Sequence, residues 1–241
     1  MKAFPRCKLL TLWNGRLPDW FSKWEERWKQ LDLQCFDWQL VRMDVSELRG
    51  RATKTLGVPC YKTKFYNCCD VRPMWGLIFA DLLDGYDWWG WCDLDVVLGD
   101  LDGMLAPLLY CYDVVSTEFY NVAGGLAMMR NNDACNNLFR RRHCWEEILC
   151  DPGYQNFDEK GMTDLVFDSE LCWNFDDRSW SEGRNMENGR PSRTCTIVGR
   201  DLIEVPTFRE IALYHFGSKK WPVVDNEIFV EALGHRRRNG H

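Results

Sequence analysis

The chain has 241 residues, 46% of them hydrophobic and 13 of them tryptophan, enough to fill one sizeable core in a single domain. Its net charge of −6 excludes a general nucleic-acid binder, which would be basic. No apolar run reaches the roughly 18 residues of a membrane span, and the first residues carry no apolar signal core or cleavage pattern, so neither a span nor a signal peptide is expected.

The elements follow in order. Residues 8–13 read as a buried strand broken by Asn14-Gly15, and Pro18 can open a helix. Trp20, Phe21, Trp24, Trp28 and Leu31 then recur at helical spacing, and the stripe reads first as a core-facing surface, with sugar stacking the alternative. Residues 37–43 form a second strand, and 45–56 a helix closed by Gly57. Strand, helix, strand begins a parallel α/β unit. Pro73 interrupts the next helix, and 74–83 continues it as an apolar helix up to Asp84-Gly85. The aromatic strand beginning at Trp88 follows, then a short helix over 101–109 and a strand over 113–117. Gly124 and Gly125 open the strand that ends at Arg130; they suit either close approach by a ligand or backbone, or an ordinary turn. A long helix is expected over 132–149, a peripheral hairpin or mobile acceptor-side loop within 171–206, a last strand over 211–216 and a closing helix over 226–233.

Twelve cysteines include no Cys-x-x-Cys spacing, which removes the main support for zinc-ribbon and thioredoxin-type sites. They read as reduced core residues of an intracellular protein, a disulfide framework being the alternative for an excised lumenal domain. The runs Arg140-Arg141-Arg142 and Arg236-Arg237-Arg238 read as a solvated helix face and a tail.

Chemistry concentrates at Asp93-Leu94-Asp95. On an extended chain, residues two apart share a side, so both carboxylates can converge on one ligand while Leu94 packs away. Paired carboxylates at the end of a buried strand need neutralising. A hard divalent cation suits them, and leaves positions for phosphate oxygens. The spacing alone is weak evidence; the apolar strand before it and Gly99 after it are what single it out.

The stretch from Tyr61 to Leu105 resembles the core of the GT-A glycosyltransferases. More narrowly, it resembles the small bacterial and algal-virus (chlorovirus-type) domains of polysaccharide and capsid-glycan synthesis. Tyr61-Lys62, Cys69-Asp70-Val71-Arg72-Pro73, Gly76-Leu77-Ile78-Phe79 and the run from Gly85 to Asp100 carry the likeness. The early run from Gly15 to Phe21 and the late run from His215 to Trp221 also fit, whereas 171–206 matches nothing in the family.

The resemblance implies a single GT-A domain, a Rossmann-like, mostly parallel sheet flanked by helices. Residues 1–118 would form the nucleotide-sugar half, and 119–241 the acceptor half with a C-terminal metal-binding segment. It implies a nucleotide-sugar donor, UDP-sugar favoured, and a glycan or glycoprotein acceptor. Asp95 would ligate the metal directly, and Asp93 through water or the ribose. His215 would complete the shell, favouring Mn²⁺ over Mg²⁺. Lys219 or Lys220 would meet the diphosphate. Asp70, Arg72 and Lys62 would lie near the donor sugar or base, with a helix-end hydrogen bond the alternative for Asp70. Inversion needs a base, Asp158 first, then Glu159 and Asp164. Location would be cytoplasmic, in the host if the chain is viral, and the chain could be a module of a larger multi-domain transferase. Two other classes stay open: a nucleotidyltransferase acting on sugar phosphates, for which Asn14-Gly15-Arg16 is a poor phosphate loop, and a non-catalytic carbohydrate-binding module, against which the strand–helix–strand order speaks. A cysteine-rich zinc protein is disfavoured by the spacing.

Overall fold

The structure, a computed structural model, describes residues 4–118, 120–175, 180–182, 186–187, 190–191, 194–205, 209–210 and 213–215. Lys219, Lys220 and the helix expected over 226–233 lie outside the described residues.

The chain opens with β1 (Cys7–Trp13), α1 (Phe21–Leu31), β2 (Phe36–Arg42) and α2 (Val45–Leu56). It continues with β3 (Trp88–Cys92), β4 (Val96–Leu98), β5 (Val114–Ser116), β6 (Leu126–Arg130) and β7 (Trp173–Phe175). Six strands form the central sheet in the order β2-β1-β3-β6-β5-β7. Only β6 runs against the others. β4 leaves this sheet and pairs antiparallel with a strand at Leu213–His215.

Strict alternation along the strands divides the core between the two faces of the sheet. Trp88 and Cys92 of β3 join Leu9, Val115, Leu126 and Met128 in the cluster beneath α1 and the 101–110 turns. Trp89 and Trp91 join Leu10, Val114, Ala127 and Met129 in the cluster beneath α2 and the 66–83, 133–150 and 162–167 segments. The aromatic density of β3 follows from this: it is buried on both faces, as a central strand of an α/β sheet must be.

Local chemistry sets the helix ends. In α2 the Asp44 carboxylate accepts from the Glu47 amide while the Glu47 side chain accepts from the Asp44 amide, and Gly57 closes the helix in a left-handed conformation (φ 74°). The tryptophan stripe of α1 packs as expected, Trp24 being stacked on Trp28 and lying 4.6 Å from the Trp38 ring. One residue on that face is charged. Arg27 is 3% exposed and donates from Nε to the Leu98 carbonyl, and from its two Nη atoms to the carbonyls of Gly199 and Arg200. Those last two form the turn of an antiparallel hairpin (194–198 with 201–205), the peripheral hairpin expected in this region.

Two expected helices differ. The 132–149 helix is three pieces, Asp133–Asn136, a 3-10 segment Leu138–Arg141 and Trp145–Cys150; the first ends at Asn137 and the second where Arg142 turns extended (ψ 109°). This break lets Phe139 and Trp145 meet edge-to-face at 5.1 Å, with Arg140 over the Trp145 ring. Likewise 74–83 is a string of short turns centred on Trp75–Ile78, preceded by a 3-10 run Tyr66–Met74 that contains Pro73. Among the described residues no helix is long and apolar enough to cross a membrane.

Candidate active site

A cavity of about 350 Å³ opens at the carboxyl ends of β1 and β3. Thr11, Leu12 and Trp13 form its β1 side, and Asp93, Leu94 and Asp95 its β3 side. Trp20, Phe65, Tyr66, Cys69 and Arg72 complete the wall. Open α/β sheets bind ligands at this end, because the strand termini there diverge into loops. Thr11 ties the two strand ends together: its hydroxyl donates to the Cys92 carbonyl and accepts from Trp38 Nε1 at 2.8 Å.

The structure places both carboxylates of the acidic motif in this cavity, by a route other than an extended strand. β3 stops at Cys92, residues 94 and 95 form a turn, and β4 starts at Val96. Leu94 packs into the core, 3% exposed, and anchors that turn. The Gly124-Gly125 pair supports it from the neighbouring strand. The Asp93 amide donates to the Gly125 carbonyl at 2.8 Å, and the Gly124 carbonyl accepts from Arg72 Nη1 at 2.7 Å. A Cβ on Gly124 would collide with the Glu159 carboxylate. The close approach that Gly124 permits is to the Glu159 side chain.

Arg72 is the electrostatic hub. Its Nη2 meets Asp93 Oδ1 at 2.5 Å and its Nη1 meets Asp158 Oδ2 at 3.4 Å. Burial alone would lower the guanidinium pKa; Asp93, Cys69, Asp158 and Glu159 more than offset it, and the net shift is upward. Asp158 is 1% exposed, and its other oxygen accepts from the Tyr154 hydroxyl at 3.1 Å. Burial raises the Asp158 carboxyl above its ordinary range, while Arg72 and Tyr154 pull it back in part. The Tyr154 ring is tilted against that of Tyr66, 4.9 Å between centroids, and Tyr66 is an exposed residue of the cavity wall. Burial pushes the Cys69 thiol up to about 12 despite Arg72, so it is a neutral wall group at pH 7.

The predicted site residues sort as follows. Asp93, Asp95 and Arg72 line the cavity, Gly124, Asp158 and Glu159 lie around Arg72, and Gly125 holds the Asp93 amide. Lys62 and Asp70 are fully buried, bonded to each other at 2.7 Å, and are not among the residues that line this cavity. Asp164 is not drawn to Arg72 but faces Arg142 at 3.9 Å, half exposed. The backbone of His215 pairs with Val96, the residue after Asp95. Among the described residues no group of three His, Cys, Asp or Glu side chains is gathered to hold a metal.

Thr11, Trp13, Trp20, Phe65, Tyr66 and Tyr154 were not among the expected site residues. Thr11 and Trp13 had a usable signal, since they end the first strand of an α/β sheet. Trp20 packs on the core beneath α1 as the stripe predicts, and as the residue just before the first helical turn it also reaches the cavity wall. Nothing in the local sequence marks Tyr154.

A mostly parallel six-stranded sheet between helices is the architecture of the GT-A class of fold. In agreement, a crystal structure of a glycosyltransferase involved in the glycosylation of the major capsid of PBCV-1 superposes with a TM-score of 0.51 at 10% identity, over 88% of this chain and 93% of that one. A galactosyltransferase, LgtC, crystallised with donor and acceptor sugar analogues, reaches only 0.40 at 11% identity over 88% of this chain and 87% of that one, too weak a likeness to argue from. The chain itself belongs to a family of unknown function, DUF6625, whose profile matches residues 33–190. No curated protein matches it.

Proposed function

We propose that this chain is a metal-dependent glycosyltransferase that moves a sugar from a nucleotide-sugar, a UDP-sugar in the first instance, to a hydroxyl of a glycan or glycoprotein. The observation that carries the reading is the placement of Asp93 and Asp95 together in an aromatic-walled cavity at the carboxyl ends of β1 and β3. Carboxylate oxygens are the donors that Mn²⁺ and Mg²⁺ take. Asp95 and Asp93 would hold the ion, and His215 is the proposed third ligand because its strand enters beside the turn. Bound there, the ion would supply Lewis-acid neutralisation of a diphosphate leaving group.

The protein's own groups account for the rest. The indoles of Trp13 and Trp20 offer faces for a nucleobase, and Tyr66 offers one for a sugar ring. Arg72 orients Asp93 and carries positive charge to the cavity wall, where a diphosphate would otherwise meet two carboxylates. Lys219 and Lys220 are proposed as further diphosphate contacts. For an inverting transfer the base is Asp158, whose raised pKa favours proton uptake, with Glu159 behind it. Incubation with UDP-glucose, UDP-galactose or UDP-rhamnose and Mn²⁺ should release UDP, and the Asp95→Asn protein should not. Equal release from both proteins would sink the proposal.

A further inference from the structure

We propose that Lys62 and Asp70 are positioning residues. Together they fix the 153–157 turn and, through Tyr154, Asp158 and Arg72, set the orientation of the Asp93 carboxylate in the cavity. Both side chains are fully buried. Asp70 Oδ2 accepts from Lys62 Nζ at 2.7 Å and from the Gln155 amide at 2.8 Å, and its Oδ1 accepts from the Phe157 amide at 2.8 Å. Lys62 Nζ also donates to the Gly153 carbonyl at 2.6 Å. One ion pair thus satisfies three backbone groups more than 80 residues away in sequence.

The turn needs such a hold. Asn156, between the two captured amides, is left-handed (φ 56°, ψ 39°), a conformation that asparagine tolerates but does not prefer. Immediately after it, a π-helical turn at Phe157–Gly161 carries Asp158 to Arg72. Arg72 in turn grips Asp93. The connection from the buried pair to the motif therefore runs through hydrogen bonds joined by the backbone of residues 153–158.

Stability alone does not explain the pair. A buried ion pair can often be replaced by apolar side chains of similar volume at little cost. Apolar side chains cannot accept two amide protons and donate to a carbonyl at once, which is what specifies this turn. Neither residue lines the cavity, so their effect on a ligand must pass through others.

The functional half of this proposal rests on the donor-site reading above; the structural half does not. The test uses two neutral pairs, Lys62→Met/Asp70→Leu, which removes both acceptor oxygens, and Lys62→Met/Asp70→Asn, which keeps one. Amide hydrogen exchange follows Gln155 and Phe157, and NMR follows the Arg72 Nε–H and the Asp93 amide. Titration with UDP and Mn²⁺ follows binding. Expected are faster exchange at Gln155 and Phe157, shifted Arg72 and Asp93 resonances, and a dissociation constant for UDP weakened about tenfold, as supporting-residue losses commonly give. The effect should be smaller in the pair that keeps asparagine. Faster exchange with unmoved Arg72 and Asp93 resonances would confine the pair to local structure and overturn the proposal, as would loss of the fold in both variants. If wild type binds none of UDP, GDP and dTDP, the donor reading fails, while the ligand-free resonances still decide the positioning role.

Discussion

Asp93 and Asp95 are two residues apart but differ in surroundings. Arg72 holds Asp93 at 2.5 Å, so its substitution disturbs the Arg72–Asp158 contact as well as the cavity. Asp95 is a partly exposed residue of a turn anchored by Leu94. Asp95→Asn should therefore leave the melting temperature within about 2 °C of wild type, the range of substitutions away from core features, yet weaken binding of UDP with Mn²⁺ at least tenfold. A thermal unfolding scan checks the first and calorimetric titration the second. A pH prediction follows from Asp158. Its folded pKa is raised, chiefly by burial, so the native state keeps this proton more strongly than the unfolded chain does. That contribution is fully present below the unfolded value of about 3.9 and is lost as pH rises through the raised folded value, at up to about 1.4 kcal/mol per pH unit. Asp158→Asn removes it, so the stability of the variant relative to wild type should increase across that window. Urea denaturation of both proteins from pH 3.5 to 7 measures the difference, and a difference flat with pH would contradict the burial account.

At the scale of elements, the central strand owes its position to one small residue. Gly90 faces the α1 side of the sheet between Trp88 and Cys92, where a Cβ would collide with the Ala127 carbonyl and reach within 3.1 Å of Met128 Cα. The obstruction is backbone of the neighbouring strand and cannot swing aside. Gly90→Ala should cost roughly 3 kcal/mol by urea denaturation, the upper range for overpacking. A second element-scale prediction concerns Arg27, which joins α1, β4 and the 199–200 turn through three carbonyls. Arg27→Met should cost about 3 kcal/mol and speed amide exchange across residues 194–205 while leaving β1–β3 protected. These elements show what the sequence could and could not disclose. β1, β2, β3, β5, β6, α1 and α2 are legible because their apolar pattern and caps are local properties, whereas β7 falls in a segment with no such pattern. The broken 132–149 segment is not, since its break serves the Phe139–Trp145 contact with the core, which is non-local. Arg27 on an aromatic stripe looked like an ordinary solvated charge, because its partners lie about 70 and 170 residues away.

Across the whole molecule, the same division holds for the site. The acidic turn was legible from an aromatic strand ending in paired carboxylates. The buried pairing of Lys62 with Asp70 was not, because residue type alone does not show whether a charged group is exposed or held within the fold. The cavity wall comes from β1, the 65–72 segment and the 93–95 turn, which only the parallel pairing of β1 with β3 brings side by side. The central claim is that this cavity takes a metal-bound nucleoside diphosphate. The most direct test is thermal unfolding with UDP, GDP and dTDP, each with Mn²⁺ and again with chelator, in wild type and Asp95→Asn. A ligand at about a hundred times its dissociation constant adds roughly 2.7 kcal/mol. For a chain of this size that is a rise of roughly 5–10 °C. The account predicts that rise for one nucleotide, UDP first, abolished by chelator and absent in Asp95→Asn. No rise with any nucleotide in folded wild-type protein, or a rise indifferent to both chelator and the substitution, would contradict it.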